Sequence, residues 1–327
     1  MIGAESLSRK RDMLRTAMGP AIKAALSDPL VIEVMVNPDG MLRLDRLGEG
    51  CHATGVYIEP SQVERIIRLV ASHMRIEAHK DAPIVSAELP PHGEGLAGER
   101  FEGLLPPVAT APCFSIRKPA ARVYTLTDYV ADGIMDAAMA TLLAKAVTDR
   151  RNILIAGGTS SGKTTLANAL LAQMANLDER IIIIEDTREL QCAAPDCVAL
   201  RTKPGIITMG DLVRSTLRLR PDRIIVGEVR GGEALDMLKS WNTGHPGGIA
   251  TVHANSAAAA LYRLEQLIQE ATVTVPVRLI AEAIDIIVFI QGRGATRRID
   301  EVIGVDGLAP DGRYATFLLP AEPDLLS

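Results

Sequence analysis

Apolar and polar positions alternate in two different ways along the chain, and the change divides it. In the first part, Leu7, Met13, Leu14, Met18, Ile22 and Leu26 are spaced for one face of a helix over residues 1–27. Residues 31–36 alternate loosely, as a strand does. Asn37-Pro38-Asp39-Gly40 supplies turn chemistry, and residues 41–44 return as the partner of a hairpin. A second helix is predicted after Pro60, carrying Val63, Ile66, Ile67, Val70 and Met74 on its apolar face. Residues 84–89, 100–105 and 113–116 read as further strands between Gly/Pro-rich turns. Together these predict a small α+β N-terminal domain over residues 1–116. A hinge or linker is expected at 117–127, which opens with the basic, proline-interrupted Arg117-Lys118-Pro119-Ala120-Ala121-Arg122.

From residue 128 the pattern changes. Helical stretches from Asp128 and over 137–147 precede apolar runs at 152–156, 181–184, 198–200, 224–226, 249–252 and 286–290. Continuous apolar runs between helices are the mark of strands buried on both faces, so residues 128–327 predict an α/β nucleotide-binding domain. The Gly-, Pro- and acid-rich tail from Gly304 is expected as a small C-terminal appendage around one strand at 314–318.

Composition narrows this modestly. Apolar residues make up 47% of the 327 but aromatics only 3%, so the core must be aliphatic and alanine-rich. The net charge of −5 gives no bulk attraction for nucleic acid. Cys51, Cys113, Cys192 and Cys197 are too few and scattered for a disulfide scaffold. Neither their spacing nor that of the histidines suggests a transition-metal site. No leader segment is expected at the start, and no apolar run is long enough to span a bilayer. Any membrane role is expected to be peripheral.

The strongest chemical signal is GGTSSGKTT at 157–165. It lies between a predicted buried strand and a predicted helix, the context a phosphate-binding loop requires. Gly157, Gly158, Thr159, Ser160, Ser161, Gly162, Lys163, Thr164 and Thr165 are the candidate ligands of a nucleotide polyphosphate. Lys163 is the candidate for the β- and γ-phosphates and the Thr164 hydroxyl for Mg²⁺. Two further apolar runs end in carboxylates. Glu185 opens Glu185-Asp186-Thr187-Arg188-Glu189, which alone is equally an ordinary solvated strand end. Glu228 in IIVGEVR at 224–230 is the best candidate to polarise water or help hold Mg²⁺. His253 ends a third run, as a γ-phosphate contact or sensor, or as a structural histidine.

These four segments, in this order, resemble the secretion ATPase superfamily of type II secretion, type IV pilus and type IV secretion motors. Their wording is closest to its TrbB-type conjugal-transfer branch. GGTSSGKTT is similar to that family's Walker A segment, IIEDTREL at 183–190 to its acidic box, IIVGEVR to its atypical Walker B, and 244–255 to its histidine box. The resemblance implies a RecA-like P-loop NTPase domain behind the N-terminal domain, and ATP and Mg²⁺ as cofactors. It further implies a homo-hexamer with nucleotide between the two domains, partnered by inner-membrane conjugation or secretion proteins, cytoplasmic and peripheral at that membrane. By the same resemblance, Glu228 is the principal catalytic carboxylate, Glu185 supports the water and metal network, and His253 senses nucleotide. Arg100 and Arg117 resemble the family's nucleotide-directed arginines. Arg201, Arg214, Arg218 and Arg230 are unranked candidates, with Arg214 and Arg218 expected on one face of a helix.

No Cys-x-x-Cys pair precedes the last strands, so the zinc insertion of type II secretion relatives is not expected. The alternatives carried forward are a pilus-retraction-type ATPase, a DNA-stimulated RecA-like translocase, and a nucleotide-binding scaffold with slow turnover. Scarcity of aromatics weighs against a stacking nucleic-acid surface, and direct nucleic-acid binding stays open.

Overall fold

The computed structural model describes residues 2–90, 98–119, 123–203 and 205–319, with side chains from residue 13 onward except that of residue 295. The expected apolar Leu7 side chain, residues 120–122 of the expected hinge, and residues 320–327 lie outside the described residues. The chain divides into two compact units, Met1–Ala121 and Arg122–Ser327.

In the first unit, α1 (Ile2–Ser27) bends at Gly19–Pro20, where Gly19 takes φ 73°. It is followed by β1 (Val31–Val36), β2 (Met41–Arg46), β3 (Gly50–Tyr57), α2 (Pro60–Met74), β4 (Ile84–Glu88), β5 (Arg100–Leu104) and β6 (Cys113–Arg117). The six strands form one sheet in the order β3-β2-β1-β6-β5-β4, antiparallel throughout. Alternation puts Val34, Val36, Val85, Phe101, Phe114 and Ile116 in one core with Ile22, Val63, Ile66, Ile67 and Val70 of the helices. The predicted hairpin is present: Gly40 N–H donates to Asn37 O at 2.9 Å, and Val36 pairs with Leu42. Strand β3 was not expected. It is an edge strand, exposed almost throughout, so no buried face imprints an apolar alternation on it.

The second unit contains α3 (Leu126–Ala131), α4 (Ala137–Thr148), β7 (Ile153–Gly157), α5 (Lys163–Ala172), β8 (Arg180–Glu185), β9 (Asp196–Arg201), α6 (Met209–Thr216), β10 (Arg223–Val229), α7 (Glu233–Asn242), β11 (Ile249–His253), α8 (Ala257–Gln269), α9 (Val277–Ala283), β12 (Ile286–Gln291), β13 (Arg298–Leu308) and β14 (Tyr314–Leu318). Its sheet runs β14-β13-β12-β7-β11-β10-β8-β9. The six strands from β12 to β9 are parallel, and β13 and β14 join antiparallel at the other edge. Both faces are covered. Leu154, Ile182, Ile224 and Ala250 face one core, while Ile153, Ile181, Ile225 and Ile249 face the other. Burial on both sides explains why these strands read as unbroken apolar runs. The eleven-residue β13 was not expected either, and through it the tail strand 314–318 belongs to the main sheet. Its charged positions, Arg298, Asp300 and Glu301, interrupt the apolar signal.

Candidate functional site

The sheet brings the C-terminal ends of β12, β7, β11, β10 and β8 together, and the polar residues that follow them gather there. Asn152, buried just before β7, helps set this alignment. Its Oδ1 accepts from Gly247 and Gly248 N–H at 2.8 and 2.9 Å, and its Nδ2 donates to Ala283 O at 2.8 Å. One amide thus ties the starts of β7, β11 and β12.

After Gly157 the chain wraps back through Ser160, at φ 62°, and Gly162, at φ 101°. A Cβ on Gly157 would lie 2.3 Å from Ile290 O, and one on Gly162 would lie 2.8 Å from Arg297 Nε in a left-handed backbone. Both positions therefore require glycine. Helix α5 begins at Lys163, so the N–H groups of its first turn face the loop without intrahelical partners. Ser161 is 3% exposed and its Oγ has no hydrogen-bond partner among the described residues. A backbone cradle at a helix N-terminus, a buried lysine and an orphaned hydroxyl fit a polyphosphate. Gly158, Thr159 and Ser160 are exposed at the mouth, and Thr164 and Thr165 are half-buried in the first turn.

Lys163 Nζ donates to Gly157 O and Gly158 O at 3.1 and 2.9 Å and stands 3.3 Å from His253 Nδ1. His253 pairs with Gly157 in the β11–β7 register. Its Nε2 lies 2.7 Å from Glu228 Oε1. An ammonium only donates and a carboxylate only accepts, so these contacts select the neutral imidazole with its proton on Nε2. Burial, and next the Lys163 charge, hold His253 below the ordinary histidine range, in agreement with that tautomer. Glu228 Oε2 accepts from Arg230 Nε at 2.8 Å and also from its Nη2; Arg230 Nη1 is 3.9 Å from Asp186. Lys163, His253, Glu228, Arg230 and Asp186 thus form one continuous polar chain.

Glu185 ends β8 and is 4% exposed. Its Oε1 accepts from Glu189 and Leu190 N–H at 3.0 and 2.9 Å, so the carboxylate shapes the loop that follows it. Burial pushes its pKa up to about 7, against the lowering effect of those two N–H groups. A Cβ on Gly227 would lie 2.9 Å from Glu185 Cγ, so the glycine preceding Glu228 makes room for the neighbouring carboxylate.

Among the described residues, no three His, Cys, Asp or Glu side chains form a ready cation cage. Mg²⁺ in nucleotide sites keeps several waters and takes one or two protein ligands plus phosphate oxygens. Thr164, in the first turn of α5 beside the phosphate cradle, suits that sparse requirement; the Glu228 oxygens are held by His253 and Arg230, and Glu185 Oε1 by two backbone N–H groups.

The other arginines separate by position. Arg100 and Arg117 belong to the first unit, directly opposite each other on β5 and β6, with Glu88 and Glu33 at either end of the row. Like charges placed opposite are unfavourable, and the flanking glutamates offset them. Arg117 is the last residue of β6. Arg201 ends β9 opposite Glu185. Arg214 binds Asp211 and Asp236 on the surface. Arg218 lies beyond the end of α6, so it does not share a helical face with Arg214 as expected. Helix α6 starts earlier than Asp211, which is its capping-box acid with Thr208. Arg230 is the one drawn into the polar chain. Sequence had left it unranked, although two residues after Glu228 on an extended segment places it on the same side.

Comparison with known proteins places the chain in a family. The family model "Type II/IV secretion system protein" matches residues 58–291. Conjugal transfer protein TrbB of Rhizobium radiobacter is 48% identical over 296 residues, covering 90% of each chain. Type IV secretion system protein VirB11 of Bartonella quintana is 32% identical, covering 76% of this chain and 79% of its own. Among solved structures, the pilus retraction motor PilT with bound ADP superimposes with a TM-score of 0.59 at 18% identity, covering 91% of this chain and 81% of that one. That likeness concerns the fold, a RecA-like P-loop domain behind a smaller α+β domain.

Proposed function

We propose, from the premise that this chain belongs to the type II/IV secretion system protein family, that it is an ATP-hydrolysing motor of a conjugal-transfer or related type IV secretion apparatus. The observation that carries the reading is the phosphate loop joined to a carboxylate through one histidine: Lys163 to His253 to Glu228.

In this reading the loop N–H groups and Lys163 hold the β- and γ-phosphates, and Ser161 Oγ gains the partner it lacks. Bound Mg²⁺ would neutralise charge on the phosphate oxygens, with Thr164 as its protein ligand and Glu185 and Glu228 within its water shell. Glu228 orients the attacking water and accepts its proton. His253 reports occupancy of the loop: when Lys163 turns from Gly157 and Gly158 toward phosphate, it leaves His253 Nδ1, and the imidazole is free to move with Glu228. Arg230 holds the other oxygen of Glu228 and fixes the plane of the carboxylate.

The motor works as a homo-hexamer at the cytoplasmic face of the inner membrane, on partners of the secretion apparatus. Attachment in this reading is peripheral; no helix among the described residues is long and apolar enough to cross a membrane. Phosphate release from MgATP by the wild-type protein, Lys163→Ala and Glu228→Gln tests the proposal. Turnover in the first and its loss in both variants support it. Unchanged turnover in Glu228→Gln removes the assigned role of that carboxylate.

A further inference from the structure

The phosphate loop has two flanks. In the sheet order, β7 lies between β11 and β12. His253, Lys163 and Glu228 occupy the β11 flank. On the opposite flank, Arg297, just before β13, lays its side chain across the loop. A Cβ on Gly162 would fall 2.8 Å from Arg297 Nε, 3.0 Å from its Cζ and 3.2 Å from its Cδ. Gly162 is the last residue before α5, so the guanidinium stands beside the loop's own anion cradle.

Two unmet hydrogen-bonding groups mark this flank. Arg297 Nε is buried without a partner among the described residues, and the Tyr129 hydroxyl is buried without one as well. The Tyr129 hydroxyl is held above its ordinary pKa by burial, and the charge of Arg297 acts on it in the opposite sense. Position is fixed from below: Ile299 N–H donates to Ile134 O at 2.8 Å, tying the start of β13 to the segment after α3. A buried guanidinium nitrogen and a buried phenol left unpaired are costly unless something meets them.

We infer that Arg297 is a second nucleotide-binding cation, engaging the diphosphate at its nucleoside end while Lys163 engages the end that reacts. The direction follows from the topology. With Glu228 and His253 on the β11 flank, the attacked phosphoryl group lies there, and the departing nucleoside diphosphate extends toward β12 and Arg297. An always-charged, planar guanidinium suits an α-phosphate oxygen, where two N–H groups can be presented together.

This inference rests on the proposed nucleotide site, and its test separates the two. MgADP binding is measured by calorimetry for the wild-type protein, Lys163→Ala, Arg297→Gln and Arg297→Lys at two salt concentrations, with thermal melts to confirm folding. The expected result is Kd for MgADP raised about tenfold in Arg297→Gln, with weakened salt sensitivity. Arg297→Lys is expected to bind with intermediate Kd and to retain the salt sensitivity, because it keeps charge without the fork. A role confined to packing against Gly162 would lower the melting temperature of Arg297→Gln and leave its salt sensitivity intact, and that outcome overturns the inference. Wild-type binding with Arg297→Gln unchanged also overturns it while leaving the nucleotide site standing. Absence of wild-type MgADP binding removes both. Should Arg297→Gln fail to fold, Arg297→Lys decides: unchanged Kd contradicts the inference, and intermediate Kd supports it.

Discussion

His253 Nε2 lies 2.7 Å from Glu228 Oε1, while its other ring nitrogen stands 3.3 Å from the Lys163 ammonium. A single imidazole at the end of β11 therefore spans the gap between the strand that leads into the phosphate loop and the strand that carries the carboxylate. In the proposed reading, a change in the Lys163 contact reaches Glu228 through one ring. His253→Ala is expected to reduce kcat for ATP by about 10²-fold, the lower end of what a positioned acid–base partner contributes. His253→Gln keeps a donor for Glu228 and is expected to lose less. Steady-state phosphate release measures both, and equal kcat in wild type and His253→Ala contradicts the bridge.

The elevated pKa of Glu185 makes a signed stability prediction. The folded state raises it from 4.5 to about 7, so between those values the folded protein holds the proton that the unfolded chain has released. Stability is therefore fully present below about pH 4.5, declines as pH rises toward 7, and levels off above it. The integrated effect is of the order of 3 kcal/mol. In Glu185→Gln, whose side-chain oxygen can still accept from Glu189 and Leu190, this slope should disappear. Urea unfolding of the two proteins from pH 5 to 8 measures it; parallel profiles contradict the assignment.

The Asn152 side chain ties the segments leading into β11 and β12 to the start of β7. Asn152→Ala strands the Gly247 and Gly248 N–H groups and the Ala283 carbonyl away from water. The expected cost is about 2–4 kcal/mol, from leaving buried backbone groups unpaired. A denaturant midpoint lowered by less than about 0.5 kcal/mol equivalent would contradict that account.

The sequence made the central parallel strands legible because they are buried on both faces: 181–184 and 224–226 have no polar position to break the run. It also made the loop legible, since glycine, lysine and threonine at 157–165 have few other uses between a strand and a helix. Two strands escaped. Exposed β3 carries no core imprint, and the charges of β13 conceal a strand that pairs with β12 along its length. The end of α6 was misplaced because Arg218 continues the polar spacing after the backbone has left the helix. Side-chain partnerships across the sheet were the least legible. The spacing of Glu228 and Arg230 is readable, but the bond between them, the span of Asn152, and the approach of Arg297 to Gly162 depend on strand order. Strand order leaves no trace in local pattern. The glycine at 227 illustrates the limit: its presence is visible, while its reason, the Glu185 side chain beside it, belongs to another strand.

The most direct test of the central claim is ATP turnover per chain across a range of protein concentrations, with oligomer mass recorded in the same buffer and Lys163→Ala as control. A secretion motor assembled as a hexamer predicts turnover that rises as hexamers form and vanishes in the control. Full turnover in a monomer, unchanged with concentration, would contradict it.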